Sequence, residues 1–290
     1  MLPLGEEKDK DLNDGDPWID PVRITAVLAT RNEERFIAAC LENLLRQGVD
    51  VYLCDNESTD RTVEIARNYL GKGLIGIETI PFDGTYQWER ILQRKEALFR
   101  ELDSDWLMHV DADEIHLPPC GQASIADALA NSQAHGYDAV EFYEFAFVPT
   151  RENPEHDHSD FVSTLRTYYP FRPRSPHCVR AFRKQNGPME MAWSGGHRVR
   201  FVHEPRISPE PFRMKHYLFL SAEQAARKYP GRTYRQEEIT RLGWHGWRGR
   251  LRPEQIVLPG LADLRTTADD DDLDPGNPWT KHWLDRCAGS

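Results

Sequence analysis

The sequence predicts an α/β protein whose first half is a mostly parallel sheet flanked by helices and whose second half is mixed and β-rich. Three observations predict it. Strand-length apolar runs alternate with helix-spaced segments between residues 23 and 110. Three of those runs end abruptly in polar clusters. Beyond residue 137 the extended runs are rich in aromatics and interrupted by proline.

Residues 23–30 (RITAVLAT) read as a buried strand. Residues 33–46 place Phe36, Ile37, Cys40, Leu41, Leu44 and Leu45 on one helical face. Residues 49–54 form a second strand, and Ser58 or Thr59 caps a helix reaching Tyr69, with Asp60 in its first turn. A third strand spans 74–80, a helix 86–102 and a fourth strand 106–110. This β-α order requires crossover connections and hence parallel pairing. Residues 137–148, 162–169, 179–183, 198–203 and 212–219 read as extended, and Ser221 caps a helix through Tyr229. Parallel sheets of this kind bind ligands beyond the carboxyl ends of their strands.

Composition narrows the function. The 290 residues carry a net charge of -11, which disfavours the sequence-independent phosphate binding of basic nucleic-acid proteins. An anionic ligand would need a local cation, a metal or a helix N-terminus. No run of about 18 apolar residues predicts a membrane span. The N-terminus lacks the basic start and apolar core of a secretory signal. Cys40, Cys54, Cys120, Cys178 and Cys287 are scattered without zinc-pair or redox spacing and read as reduced thiols of a cytoplasmic protein.

The chemistry gathers at strand ends. Residues 106–114 (WLMHVDADE) end a buried strand in Asp111, Asp113 and Glu114. Clustered carboxylates repel and are costly to desolvate, and a hard divalent cation such as Mg²⁺ or Mn²⁺ resolves the conflict. Residues 51–62 (VYLCDNESTDRT) repeat the pattern: Asp55 can accept hydrogen bonds from a base or ribose, whereas Ser58, Thr59 and Asp60 suit a helix cap. Thr30-Arg31-Asn32-Glu33-Glu34 ends the first strand, so three polar clusters converge on one sheet edge.

These three motifs, in this order and at these separations, resemble family 2 glycosyltransferases with the GT-A-like, Rossmann-like fold, over about residues 22–230. The resemblance implies a hexosyl or related transferase that moves a sugar from a nucleotide-diphosphate donor to a carbohydrate or other hydroxyl acceptor, with inversion. It implies Asp113 as a metal ligand, Asp111 on ribose or a metal-bound water, and Thr30, Glu33 and Asp55 lining the nucleotide site beside Arg31. Asn56 and Glu57 stand where the family commonly has Asp and Gly. Met214-Lys215-His216-Tyr217 resembles the C-terminal motif whose imidazole completes the metal shell around Mn²⁺ or Mg²⁺. Ser194-Gly195-Gly196-His197 resembles the small-residue loop that approaches the donor, or forms a simple turn. Arg94 or Lys95 can neutralise a diphosphate. The family's acidic pair after the glycine loop has no clean copy here, which leaves Glu190 and Glu204 as candidate general bases. Trp244 and Trp247 can face an acceptor sugar or pack in a core.

On this reading residues 1–20 and 263–290 are acidic tails around one domain at 21–262, with its nucleotide-binding half at 21–118 and its acceptor half at 119–262. Of three rivals two fall behind, and the binding protein stays open. A metal-dependent nucleotidyltransferase would carry a glycine-rich basic loop after the first strand. A non-catalytic nucleotide- or sugar-binding protein would show no turnover. A metal hydrolase would use a helix-spaced His pair, and the eleven histidines are dispersed.

Overall fold

Apolar runs bury the first strand, β1 (Ile24–Thr30), on both faces. In α1 (Ile37–Arg46), Ile37, Cys40, Leu41 and Leu44 recur at helical spacing and pack under the sheet. β2 (Asp50–Asp55), α2 (Thr62–Arg67), β3 (Leu74–Thr79), α3 (Trp88–Glu101) and β4 (Trp106–Asp111) continue the alternation. β1 pairs in parallel with β2 and with β4, and β2 with β3. The order β3-β2-β1-β4 therefore winds outward from β1 in both directions, as crossover helices require.

The computed structural model describes residues 21–245 and 247–289. The acidic segment expected at 1–20 lies outside them.

The second half adds β5 (Glu114–Leu117), α4 (Ile125–Ala134), β6 (Ala139–Phe147), α5 (Phe161–Thr164), β7 (Thr167–Phe171), β8 (Cys178–Arg183), β9 (Phe212–Tyr217), α6 (Ala222–Lys228), α7 (Gln236–Leu242), β10 (Arg265–Thr266) and α8 (Trp283–Ala288). β8 runs antiparallel to β4 and extends the sheet into the order β10-β7-β6-β8-β4. β9 lies parallel to β6 and antiparallel to β5, which sets His216 opposite Glu114. The predicted class, a mostly parallel sheet continued by a mixed β-rich half, is the observed one.

Several expectations change: residues 162–164 belong to helix α5 and not to a strand, and α2 starts at Thr62 behind Arg61, with no side-chain cap from Ser58 or Thr59. Residues 198–203 make isolated bridges from Arg198 to Val179 and from Arg200 to Glu190 instead of a strand. Residues 263–289 are not a solvated tail. The acidic run meets cations projecting from β9: Arg213 donates to Asp271 at 2.9 Å and Lys215 to Asp270 at 2.8 Å. β10 pairs with β7, Trp279 stacks on Tyr169 with ring centroids 4.1 Å apart, and Leu284 is fully buried. Charge in the run dominated the sequence reading, whereas the buried apolar side chains that follow it anchor the segment, each contributing about 1.5–3 kcal/mol.

Candidate functional site

Parallel registry puts Thr30 beside Asp55 and Ala29 beside Asp111, so the ends of β1, β2 and β4 share one rim. The turns after β1 and β2 are interlocked. Asn32, at φ 56°, accepts a hydrogen bond from the Thr59 backbone at 2.7 Å, and the Glu33 amide donates to Thr62 Oγ1 at 2.8 Å. Arg31 donates to the Asn56 and Glu57 carbonyls, both at 2.5 Å, and its guanidinium lies 3.4 Å from the centroid of the Phe82 ring. Asp55 is buried; its carboxylate accepts from the Ser58 amide at 3.0 Å, from Ser58 Oγ at 2.5 Å and from Thr30 Oγ1 at 3.5 Å. Asn56 donates to the Ile80 and Pro81 carbonyls, tying β2 to the end of β3.

The acidic triplet is compensated residue by residue. Asp113 sits 2.5 Å from Lys228 Nζ and 3.5 Å from His216 Nε2. Burial pushes the Asp113 carboxyl up, but Lys228 and His216 outweigh it and hold it below its ordinary value. His216 Nδ1 lies 2.7 Å from Glu144 Oε1. Burial lowers His216, yet Asp113 and Glu144 on its two sides raise it well above the ordinary imidazole range. Asp111 lies 3.4 Å from Arg180 and 3.8 Å from Lys95 Nζ. Glu114, wholly buried, pairs with Arg180 and accepts from the Asp111 amide at 3.0 Å. Burial raises Glu114 to about 7 against the pull of Arg180. Lys95 donates to the Val110 carbonyl at 2.9 Å and lies 2.9 Å from His109 Nδ1; burial lowers it to about 8.

These groups open into a cleft of about 320 Å³ lined by Thr30, Arg31, Asn56, Asp111, Asp113 and His216, among others. A second cleft, about 560 Å³, adjoins it and shares Arg31, Glu33, Tyr86, Lys228 and Arg232. Glu33 lies between them, 3.4 Å from Arg232. Gly195, at φ 68°, accepts a hydrogen bond from Trp88 Nε1 at 3.0 Å. Gly196, at φ 89°, passes so close to β4 that a Cβ there would stand 2.8 Å from His109 Nε2. Trp247 lines the first cleft, whereas Trp244 packs against Gly195.

Asp55, its buried carboxylate taken by Ser58 and Thr30, lines neither cleft, and three other expected residues turn away from the rim. Arg94 turns to the outer face, where it pairs with Glu78 at 2.7 Å and Glu101 at 2.9 Å. Glu190 is exposed and exchanges backbone hydrogen bonds with Arg200. Glu204 is exposed beside a shallow hollow formed with residues such as Asn186 and Val202. Neither acid lines either of the two adjoining clefts. Sequence reasoning missed Glu144, His177, Arg180, Arg232 and His282, all of which line the cleft. For Glu144 and Arg180 a signal existed: each is a charge inside an apolar strand, and such a charge needs a buried partner.

The profile of Glycosyl transferase family 2 matches residues 25–183, more than half of the chain. The chain belongs to glycosyl transferase family 2. Its sheet and this membership agree with the GT-A-like class that the motifs predict. An uncharacterized glycosyltransferase of Rickettsia typhi is 29% identical over 92 residues, which cover 32% of this chain and 28% of that one. Staphylococcus aureus TarS aligns at 16% identity and a TM-score of 0.42, over 67% of this chain and 36% of TarS. TarS 1–349 in complex with UDP aligns at 15% identity and 0.42, over 67% of this chain and 60% of that one. The match to the curated relative thus spans well under a third of its length. No helix among the described residues is long and apolar enough to cross a membrane.

For a divalent metal, Asp113 and His216 fit. A carboxylate and an imidazole meet at 3.5 Å, and Glu144 holds the far nitrogen of the imidazole, as supporting carboxylates do for ligating histidines. An ion there would take the place of the Lys228 ammonium on Asp113 and of the proton that Asp113 and Glu144 hold on His216.

Proposed function

We propose that this family 2 chain transfers a sugar from a nucleotide-diphosphate donor to a hydroxyl acceptor, with inversion. The carrying observation is that Asp113, His216, Lys228 and Arg232 face Thr30, Arg31 and Asn56 across one rim, where a cationic lining can receive a diphosphate in a chain of net charge -11. The nucleoside lies toward the second cleft, beside Arg31 and Phe82. The sugar lies in the first cleft, bounded by Gly195 and Trp247.

The acceptor hydroxyl attacks the anomeric carbon as the bond to the diphosphate breaks. Lys228 and Arg232 stabilise the charge that develops on the departing group. Arg180 and Lys95 hold Asp111 in place. Among the carboxylates lining the first cleft, Asp111 is the most open, at 28% side-chain exposure against 12% for Asp113 and Glu33 and 3% for Glu144. It replaces Glu190 and Glu204 as the candidate acceptor of the hydroxyl proton. A Mn²⁺ or Mg²⁺ on Asp113 and His216 would supply Lewis-acid stabilisation of the same leaving group. Lys228 on Asp113 favours a second reading, in which the ammonium serves alone and no metal is required. Cys40, Cys54, Cys120 and Cys178 are free thiols, which supports a cytoplasmic setting.

The test is incubation with a panel of nucleotide sugars, with Mn²⁺ and with a chelator. Release of free nucleoside diphosphate is expected. Release that persists in chelator selects the Lys228 reading. Donor binding without release would make the chain a binding protein and sink the transferase reading.

A further inference from the structure

Glu144 faces two ways. Its Oε1 takes His216, as described. Its Oε2 lies 3.4 Å from His177 Nε2 and 3.8 Å from Cys178 Sγ. On that second side, the ligand atoms of His177, Cys178 and His197 all lie within 4.8 Å of one another. Both ring nitrogens of His177 and Nδ1 of His197 are buried without a hydrogen-bond partner. Polar atoms buried in this way call for an explanation, and an ion is one that satisfies several of them together.

We propose that His177, Cys178 and His197, with Glu144 as the fourth donor, form a second metal centre that binds a borderline divalent cation of the zinc class. The donor set is two imidazoles, one sulfur and one carboxylate. Sulfur and imidazole select Zn²⁺ or Co²⁺, whereas Mg²⁺ and Mn²⁺ prefer the oxygen-rich side of the cleft. Burial keeps His197 neutral, which is the ligating form. Burial also keeps Cys178 protonated, so binding exchanges the thiol proton for the metal and releases that proton to solvent.

The ligands come from separate parts of the chain. Cys178 opens β8, His177 precedes it, Glu144 lies on β6 and His197 directly follows the Gly195-Gly196 turn. A backbone bond, Val179 N to His197 O at 2.9 Å, and the bridge of Val179 to Arg198 already join that turn to β8. The ion fixes the same junction through side chains and so holds the glycine turn at the cleft. Glu144 links this centre to His216. The inference does not depend on which donor or acceptor the chain uses.

The experiment strips the full-length protein with a chelator and titrates it with Co²⁺, following absorption. One equivalent should bind with a near-ultraviolet thiolate-to-cobalt charge-transfer band, and Zn²⁺ should displace it. Cys178→Ser should lose the band. His197→Ala, at a position that lines the cleft, should weaken binding by at least about 100-fold, the upper end of what losing a supporting partner costs. Asp113→Asn should leave the band in place. No band in the parent protein, a band that survives Cys178→Ser, or a band lost in Asp113→Asn would each overturn the assignment. Circular dichroism identifies any variant that fails to fold, and the His197→Ala titration then decides.

Discussion

Replacing Lys228 by Met should expose how strongly the cleft depends on its internal cations. Lys228 is 8% exposed and Asp113 12% exposed along their side chains, and they meet at 2.5 Å. Methionine keeps most of the stem volume beside Phe36 but removes the charge and the bond to the Leu218 carbonyl. Asp113 is then left buried with only His216 opposite it. Breaking a buried pair from one side costs about 3–5 kcal/mol. For a chain of this size that corresponds to a fall in Tm of about 6–20 °C. In the parent protein Asp113 is held below its ordinary pKa, so the pair's contribution is complete above about pH 4 and is lost as pH falls through the folded value. In the variant Asp113 protonates at higher pH, so the deficit narrows toward acid. Mn²⁺ should recover more stability in Lys228→Met than in the parent, because there no ammonium has to leave Asp113. At 100 times its Kd a ligand contributes about 2.7 kcal/mol. Denaturant melts of both proteins, of Asp113→Asn and of Asp113→Asn/Lys228→Met, with and without Mn²⁺, supply the cycle. A loss below about 1 kcal/mol would place the pair among surface salt bridges and refute the reasoning. An equal Mn²⁺ gain in parent and variant would remove the ion from Asp113.

Three more outcomes follow from single positions. Gly196→Ala should destabilise by more than about 1 kcal/mol and weaken nucleotide binding, because the turn needs φ 89° and the added Cβ meets His109; an unchanged melt and affinity would free the turn of that constraint. Leu284→Ala should cost about 2–5 kcal/mol in denaturant melts if the C-terminal segment is docked, and near zero if it is a tail. Lys95 is lowered from 10.5 to about 8, which corresponds to about 3 kcal/mol. Between pH 8 and 10.5 the unfolded chain holds a proton that the folded one has released, so stability should rise with pH across that window. Lys95→Met should flatten this rise, and an unchanged slope would show that Lys95 is not the group responsible.

The first half of the fold was legible because periodicity and strand-end polarity agree there. Apolar runs named β1, β2 and β4, and the residues that end them sit on one rim. His216 was legible only through resemblance, since an isolated histidine at a strand end also reads as core. The cations were harder to read. Arg94 and Lys95 are adjacent on one helix, and one residue is about 100° of rotation, so one points outward to Glu78 while the other is buried beside Asp111. Glu190 and Glu204 flank the glycine turn in sequence, and nearness along the chain says nothing about where a bridged loop turns. The 263–289 segment was misread because four aspartates in a row look solvated until Arg213 and Lys215 are seen opposite them. Long-range pairing of this kind leaves no periodic trace in either partner's sequence.

A crystal soaked with a nucleoside diphosphate and Mn²⁺ tests the central claim most directly. The diphosphate is expected against Asp113, His216, Lys228 and Arg232, with the nucleoside running past Arg31 toward Phe82. A nucleotide bound away from the ends of β1, β2 and β4, with Asp113 still closed on Lys228 and no ligand near either, would contradict it.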